Sequence, residues 1–320
     1  MQIEPGQIAV VTGAGSGMGR ELARQLGAAG VHLALCDWSA ETLAGTQALC
    51  RTGSPPGPRV TTMQVDVSQE AQVLAFRDAV MAGHATDHIH LLFNNAGIGG
   101  GGGFVSGSRA DWERTFGVDW FGVYYNARAF LPLLVAAPVG CIVNVSSVNG
   151  FWARLGPGIP HTAYSAAKFA VKGFTEALIT DLRVNAPHVS CAVVMPGHIG
   201  TSIALNTYDA MALGPAQLDA MRQRLVKAGA PVADLPDEAI RAIMVQRGKD
   251  FRDKAPTSAA QAATIILDGV RAGRWRILVG DDAHELDAKV RQDPEHAYDD
   301  DFHTLLTEAT GAPIAKTPRR

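Results

Sequence analysis

Tyr164 and Lys168 stand four residues apart in the run YSAAKFAVKGFTEALITDL. On a helix this spacing puts both side chains on one face. A phenol ionises near pH 10, so it is a poor base near neutrality unless a cation stabilises its phenolate. The Lys168 ammonium, one turn further on, is such a cation. Ser147, 17 positions before Tyr164, ends an apolar run and offers a hydroxyl that can bond a substrate oxygen. Together the three groups can move a proton to or from an oxygen. Asp119 is a fourth candidate. It lies in VDWFGV among large apolar side chains, where a charge is costly unless paired or hydrogen-bonded.

A second grouping sits near the start. Thr12-Gly13-Ala14-Gly15-Ser16-Gly17-Met18-Gly19 follows an apolar run and opens a helical pattern. The GxGxxG spacing fails in both frames, because positions 18 and 20 are Met and Arg; the spacing present is TGxxxGxG. A glycine-rich turn lets the backbone approach a pyrophosphate, and the following helix N-terminus supplies N–H groups and a positive dipole. Asp37 ends the second strand run, 20 residues after Gly17, where a carboxylate can bond adenosine ribose hydroxyls. It would repel a 2′-phosphate, and its neighbours Ser16 and Trp38 are not basic, which favours NAD over NADP. Ser39 suits the N-cap of the next helix better than Asp37 does. Asp66 ends the third run. It could accept from the adenine amine or cap the next helix, and Val67 could supply a backbone N–H.

These residues need elements to position them. Apolar runs at Ile8–Thr12, Val31–Cys36, Val60–Val65, Ile89–Phe93, Cys141–Val145 and Val189–Met195 lack polar alternation, as strands buried on both faces do. Between them lie helical patterns near 17–29, 39–51, 69–83, 110–136 and 163–185. Strands separated by helices of this length form βαβ units, so the fold class is α/β, a Rossmann-type doubly wound parallel sheet of about seven strands with helices on both faces. After Pro196 the rhythm changes. Two helical patterns, 215–229 and 236–249, lie within 201–256 without a strand, and that block reads as a helical insertion forming a substrate lid. Thr257 or Ser258 can cap a helix to about 272, and Trp275–Val279 reads as a last strand. The organisation is one catalytic domain over 1–285 with a C-terminal extension from 286 to 320. That extension includes Asp299-Asp300-Asp301 and reads as a solvated tail. The run Gly99–Gly103 reads as a flexible loop without chemistry of its own.

The bulk numbers exclude several classes. The chain has 320 residues, 47% of them hydrophobic, and a net charge of −3. Lys and Arg are scattered, and Lys316 to Arg320 is too short for a nucleic-acid patch. The start MQIEPGQIAV lacks the basic region of a secretory signal. The longest apolar run, Ala129 to Val139, holds two prolines and cannot span a bilayer. Cys36, Cys50, Cys141 and Cys191 form no CxxC pair and read as reduced, buried thiols in a cytoplasmic protein. His84, His88 and His90 cluster by number, but no thiolate or carboxylate set completes a metal site, so no metal is expected.

Five motifs, in order, resemble the short-chain dehydrogenase/reductase superfamily: TGAGSGMG at 12–19, Asn94-Asn95-Ala96-Gly97, Val145-Ser146-Ser147, Tyr164-Ser165-Ala166-Ala167-Lys168 and Pro196-Gly197. The resemblance covers about residues 6–200 and resumes at 257–280. The stretch Thr201-Ser202-Ile203-Ala204-Leu205-Asn206 and the segment Arg276 to Gly280 resemble bacterial acetoin and alcohol dehydrogenases. The resemblance implies an NAD-dependent enzyme that interconverts a secondary alcohol and a ketone, with a small-molecule substrate and no nucleic-acid or membrane partner. Tyr164 is then the acid/base, Ser147 the substrate clamp and Ser146 structural. Lys168 supports Tyr164 and the nicotinamide ribose. Gly13, Ser16, Gly17, Met18, Gly19, Asp37, Trp38, Asp66, Val67, Asn95, Ala96 and Gly97 join Tyr164 and Lys168 around the cofactor. Pro196, Gly197, Ile199 and Thr201 hold the carboxamide. A homotetramer or homodimer through the helices at 110–136 and 163–185 is implied too.

Two departures follow. Family members carry Asn where this chain has Asp119; there the amide stabilises a helix distortion and holds a water bound to the catalytic Lys. A carboxylate only accepts hydrogen bonds, and near Lys168 it offsets part of the positive field at Tyr164. An alkaline working range is the expectation. The second departure is the 17-residue spacing from Ser147 to Tyr164, against 13 in compact members. The loop Phe151–Pro160 is therefore longer and, with Trp152, Tyr208 and Met211, is expected near an apolar substrate mouth. His161 and His198 border the same pocket. Two other readings stay open: an NADP-dependent carbonyl reductase, and an NAD-binding sensor or scaffold with weak activity.

Overall fold

Successive residues of Ile8–Thr12 pack to opposite sides of one sheet. Ala9 and Val11 join one apolar cluster and Ile8 and Val10 join another. A strand with helices on both faces must be apolar at every position, and this is why the strands read as unbroken apolar runs. A computed structural model of the chain describes residues 1–51, 57–105, 107–154, 160–210, 214–227, 229–299 and 302. The order of elements runs β1 Ile8–Thr12, α1 Gly17–Ala28, β2 His32–Asp37, α2 Ala40–Cys50, β3 Val60–Gln64, α3 Glu70–His84 and β4 Leu91–Asn94. Then come α4 Arg109–Phe116, a single π-helical turn Gly117–Phe121, α5 Gly122–Ala136, β5 Gly140–Val145, a 3-10 turn Val148–Gly150, α6 Thr162–Asn185 and β6 Val189–Pro196. The chain ends with β7 Ile199–Gly200, α7 Ile203–Ala210, α8 Pro215–Lys227, α9 Asp237–Asp253, β8 Thr257–Ser258, α10 Ala259–Arg271, β9 Arg276–Val279 and α11 Asp281–Gln292.

The main sheet has seven parallel strands in the order β3-β2-β1-β4-β5-β6-β9. Helices α1, α2 and α10 cover one face, and α3, α5 and α6 cover the other. The order reverses between β1 and β4, and a doubly wound sheet opens a crevice there at its carboxyl ends. The expected fold class is thus present. Four details depart from the sequence reading. The helix anticipated at 110–136 is broken by the π-helical turn that contains Asp119. Helix α7 lies inside the 201–256 block, ahead of the two helices expected there. That block leaves the sheet at β7 and returns at β8, and these two strands pair with each other. The chain past 286 begins inside α11, and Ala297 and Phe302 are buried rather than solvated. Residues 300 and 301 and Lys316 to Arg320 lie outside the described residues.

Ser258 caps α10 through a capping box with Gln261. All four cysteines are buried free thiols. Among the described residues no helix is long and apolar enough to cross a membrane. Between α3 and α5, Phe76 and Phe130 meet edge to face with centroids 5.7 Å apart, both essentially without exposure. We predict that Phe130→Ala costs about 3–5 kcal/mol of unfolding free energy. Urea denaturation measures it, and a loss below about 1 kcal/mol would show that this layer is not tightly packed.

Candidate active site

The glycine turn between β1 and α1 is held from below. Gly13 has a φ of +64°, and a Cβ there would come within 2.7 Å of the Ala96 backbone. Thr12 Oγ1 accepts the N–H groups of Asn95 and Ala96, both at 3.0 Å. The Asn95 amide donates to the carbonyls of Thr12 and Gly13 at 3.0 and 3.2 Å. The end of β4 therefore shapes the turn. Asp37 shapes it from the side: its Oδ2 accepts the Gly15 N–H at 2.8 Å, and its Oδ1 accepts that of Ser39 at 3.0 Å. Burial pushes the Asp37 carboxyl above its ordinary value, against the N–H groups of Ser39, Gly15 and Trp38 and the charge of Arg20. Ser39 caps α2 by accepting from the Thr42 N–H.

A cleft of about 490 Å³ opens over this turn, within the range of about 300–1,000 Å³ usual for small-molecule and cofactor sites. Of the residues singled out by sequence, Gly13, Ser16, Gly17, Met18, Asp37, Trp38, Asp66, Val67, Asn95, Ala96, Gly97 and Thr201 line it. Gly19 does not; it lies against the Gly13 carbonyl, where a Cβ would approach to 2.1 Å. Pro196, Gly197 and Ile199 are also absent from its lining. The Gly197 N–H donates to Val279 O at 2.9 Å and the His198 N–H to Asp282 Oδ2 at 2.6 Å, so neither is free to hold a ligand. Asp66 faces the cleft while its Oδ1 accepts from the N–H and hydroxyl of Ser68.

Gln64, Gln72, Ile98, Arg114, Val118, Ile203 and Asn206 also line the cleft and were not singled out. Asn206 carried a signal as the last residue of its motif-like stretch. Its amide donates to Ser16 Oγ at 3.0 Å. Thr207 Oγ1 accepts the Gly99 N–H at 2.8 Å. These two bonds tie α7 to the rim. The glycine run is therefore attached, not loose: Gly102 O also accepts the Thr162 N–H at the start of α6.

Asp119, Ser147, Tyr164 and Lys168 do not line that cleft; α6 presents Tyr164 and Lys168 behind Gly97, where a Cβ would come within 3.3 Å of Lys168 Nζ. The Lys168 ammonium lies 5.3 Å from the Tyr164 ring centroid and donates to Val145 O at 3.2 Å. It also pairs with Asp119 Oδ1 at 3.2 Å. Asp119 is 0% exposed and Lys168 is 3% exposed. Asp119 Oδ1 accepts the Ile98 N–H at 3.2 Å as well, and Oδ2 is buried with no hydrogen-bond partner. Gly97 makes this approach possible, since a Cβ there would come within 2.6 Å of Asp119 Oδ1. Ser146 donates its hydroxyl to Lys168 O at 2.7 Å.

Electrostatics in this cluster are coupled. Burial raises the Asp119 carboxyl to about 6, against the opposing charge of Lys168 and its hydrogen bond and against the Ile98 N–H. Burial pulls the Lys168 ammonium down, but the charges of Asp119 and Tyr164 outweigh it and the net shift is upward. Burial pushes the half-buried Tyr164 phenol above its ordinary value. Lys168 and a hydrogen bond with Ser147 draw it down, and Asp119 pushes it up. The arrangement can hold a proton on a phenol and deliver it to, or take it from, an oxygen beside Ser147.

The two border histidines separate. His161 stacks on Tyr164 at 4.7 Å between centroids. His198 is occupied elsewhere, with Nε2 donating to Phe251 O at 2.7 Å. The aromatic mouth is not where the sequence put it. Trp152 is 4% exposed, because its indole N–H finds an acceptor at Ala297 O. Phe151 packs in the same cluster and Tyr208 packs against α8 and α9. Met211 lies outside the described residues. Among the described residues no cluster of His, Cys, Asp or Glu could hold a metal ion.

Residues 7–212 match the short chain dehydrogenase family. SadH of Mycobacterium tuberculosis, named as an oxidoreductase, is 38% identical over 288 residues, 89% of this chain and 90% of that protein. A meso-2,3-butanediol dehydrogenase of Serratia marcescens is 35% identical over 175 residues, 55% of this chain and 65% of that protein. Among solved structures, a short chain dehydrogenase/reductase from Burkholderia phymatum in complex with NAD superposes over 100% of both chains, with a TM-score of 0.73 and 30% identity. A metagenomic short-chain oxidoreductase in complex with NADP matches 61% of this chain and 84% of its own, with a TM-score of 0.54 and 31% identity.

The buried pair makes a stability prediction. Lys168→Met leaves Asp119 as an unpaired buried carboxyl, which costs about 3–5 kcal/mol when ionised. The folded-state value of this group already lies above the unfolded one and rises further without Lys168. The folded state then holds a proton that the unfolded chain has released, so stability is lost as pH rises from about 4. We predict a large urea-denaturation penalty for Lys168→Met at pH 8 and a smaller one at pH 5. Adding Asp119→Asn should recover most of the loss at pH 8. Equal losses at both pH values, without recovery, would contradict the pairing.

Proposed function

This chain belongs to the short-chain dehydrogenase family, and we propose that it is an NAD(H)-dependent oxidoreductase interconverting a secondary alcohol and a ketone. The observation that carries the reading is the convergence of Tyr164, Lys168, Asp119 and Ser147 behind Gly97 and Ile98, which line the cleft over the glycine turn. The cleft residues fit a dinucleotide. Gly13 and Gly17, both with positive φ, keep the turn close to the cleft, and Asp37 stands at its far edge. The bound nicotinamide would supply or accept the hydride. Tyr164 gives a proton to the ketone oxygen or takes one from the alcohol, Ser147 bonds that oxygen, and Lys168 stabilises the phenolate. Lys168 can also reach the nicotinamide ribose. Burial of the set excludes water and strengthens each charge effect.

Asp37 supports NAD over NADP in this reading. A 2′-phosphate at that edge would need a cation. The nearest one, Arg20, is engaged by Gly15 O and by Thr46 Oγ1. The butanediol dehydrogenase relative supports the alcohol/ketone class. A dimer or tetramer through α4, α5 and α6 belongs to the same proposal; Phe121 in the π-helical turn, Tyr124 on α5 and Phe169 on α6 are about 40% exposed.

The test is a panel of secondary alcohols, acetoin and sterols at neutral and alkaline pH, run with NAD and NADP in parallel. We predict NAD-linked turnover. Tyr164→Phe should lower it by about 10²–10⁴-fold while NADH binding, followed by fluorescence, stays within about twofold of wild type. Binding without turnover across the panel would favour a cofactor-binding sensor. Preference for NADP would overturn the Asp37 argument.

A further inference from the structure

The chain just after Ser147 folds back into a closed turn. The Asn149 N–H donates to Ser147 Oγ at 3.1 Å. The buried Asn149 amide donates to the carbonyls of Trp152 and Arg154, both at 3.1 Å. Ser147 is therefore one end of a hydrogen-bonded unit that runs to Arg154. The other end of that unit is held by chain about 145 residues away. Trp152 Nε1 donates to Ala297 O at 2.7 Å. The Ala153 N–H donates to Tyr298 Oη at 3.0 Å. Arg154 Nη1 donates to the carbonyls of Tyr298 and Asp299 at 2.7 and 2.8 Å. The Trp152 ring packs on Phe302 with centroids 5.6 Å apart, beside the buried Leu286 and Ala297.

We propose that residues 293–299, with Phe302, form a strap that positions Ser147 by clamping the Trp152–Arg154 turn from outside. The proposal rests on the reading of Ser147 as the group that bonds the substrate oxygen. Mere burial of a tail would need only apolar contact. Here four directed hydrogen bonds reach the turn, and one comes to a backbone N–H from the Tyr298 hydroxyl. The strap also starts from a fixed point. Asp287 on α11 takes bonds from Arg276 on β9 and from Arg291, and Arg276 lies 5.9 Å from the Phe151 ring centroid. Strap, sheet edge and turn thus form one assembly. Displacing a reacting group by about 1 Å can cost about 10²-fold in rate. The strap adds an anchor from distant chain to the serine's own turn. Trp152 and Tyr298 are positioning residues in this scheme and touch neither substrate nor cofactor.

The test uses the full chain with Trp152→Phe, with Tyr298→Phe, and a chain ended at Gln292. Hydrogen exchange is followed by mass spectrometry on peptides covering 146–154, with the glycine turn at 8–20 as internal control. Kinetics use NAD and the secondary alcohol that the full chain oxidises fastest. The expected result is exchange at 147–152 about tenfold faster in Trp152→Phe and in the shortened chain, with the glycine turn unchanged. The alcohol KM should rise and kcat fall by about tenfold, with the KM for NAD unchanged; Tyr298→Phe moves each quantity the same way by less. Unchanged exchange at 147–152 overturns the proposal. So does faster exchange spread across the whole sheet, or a matching rise in the KM for NAD. If the shortened chain does not fold, the two point variants decide. If the full chain oxidises no alcohol, the proposed activity falls, while the exchange comparison still decides the strap.

Discussion

The site is organised around one buried ion pair, Lys168 Nζ to Asp119 Oδ1 at 3.2 Å. At an effective dielectric of 20 such a pair attracts by about 5 kcal/mol. Desolvating the two ions costs several kcal/mol each. The pair is therefore not a net source of stability, and its value lies in placing a cation beneath Tyr164. Three separate parts of the chain build it. The π-helical turn between α4 and α5 buries Asp119, the end of β4 brings Gly97 and the Ile98 N–H against it, and the end of β5 offers Val145 O to Lys168. A π-helical turn inside a helix often marks a functional site, and here it carries the charge that tunes the phenol.

Around this pair the sheet supplies geometry and the later chain supplies cover. The strand order reverses between β1 and β4, and the glycine turn and the end of β4 pack side by side to line the cleft. The block from 201 to 256 leaves and rejoins the molecule through the β7–β8 pair, which stands apart from the main sheet. Asn206 and Thr207 attach that block to Ser16 and Gly99. The C-terminal segment binds the turn after Ser147.

Much of this was legible in the sequence. Strands buried on both faces must be largely apolar, so the five inner strands showed as runs, while the edge strands β3 and β9 are only partly buried and carry polar residues. The glycine turn, Asp37 and the Tyr164–Lys168 spacing each follow from a steric or electrostatic demand visible locally. Other features leave no local mark. A π-helical turn adds its residue without changing the apolar pattern, so the helix at 110–136 read as continuous. Helix α7 is short and its buried face is set by the rim it covers. Trp152 read as a mouth residue because its partners, Ala297 and Phe302, lie far along the chain in a segment whose acidic run suggested solvent. The bonds from the Gly197 and His198 N–H groups to Val279 and Asp282 were likewise not legible, because those partners lie far along the chain.

The central claim is that the Asp119 charge, acting through Lys168, sets where Tyr164 loses its proton. The pH–rate profile of alcohol oxidation by the wild-type chain and by Asp119→Asn tests it most directly. Removing the carboxylate removes an influence that raises the phenol. The account predicts that the rising limb moves to lower pH in the variant, by about one unit. The two profiles should converge below about pH 6, where Asp119 is itself protonated. Superimposable limbs, or a shift to higher pH, would contradict it.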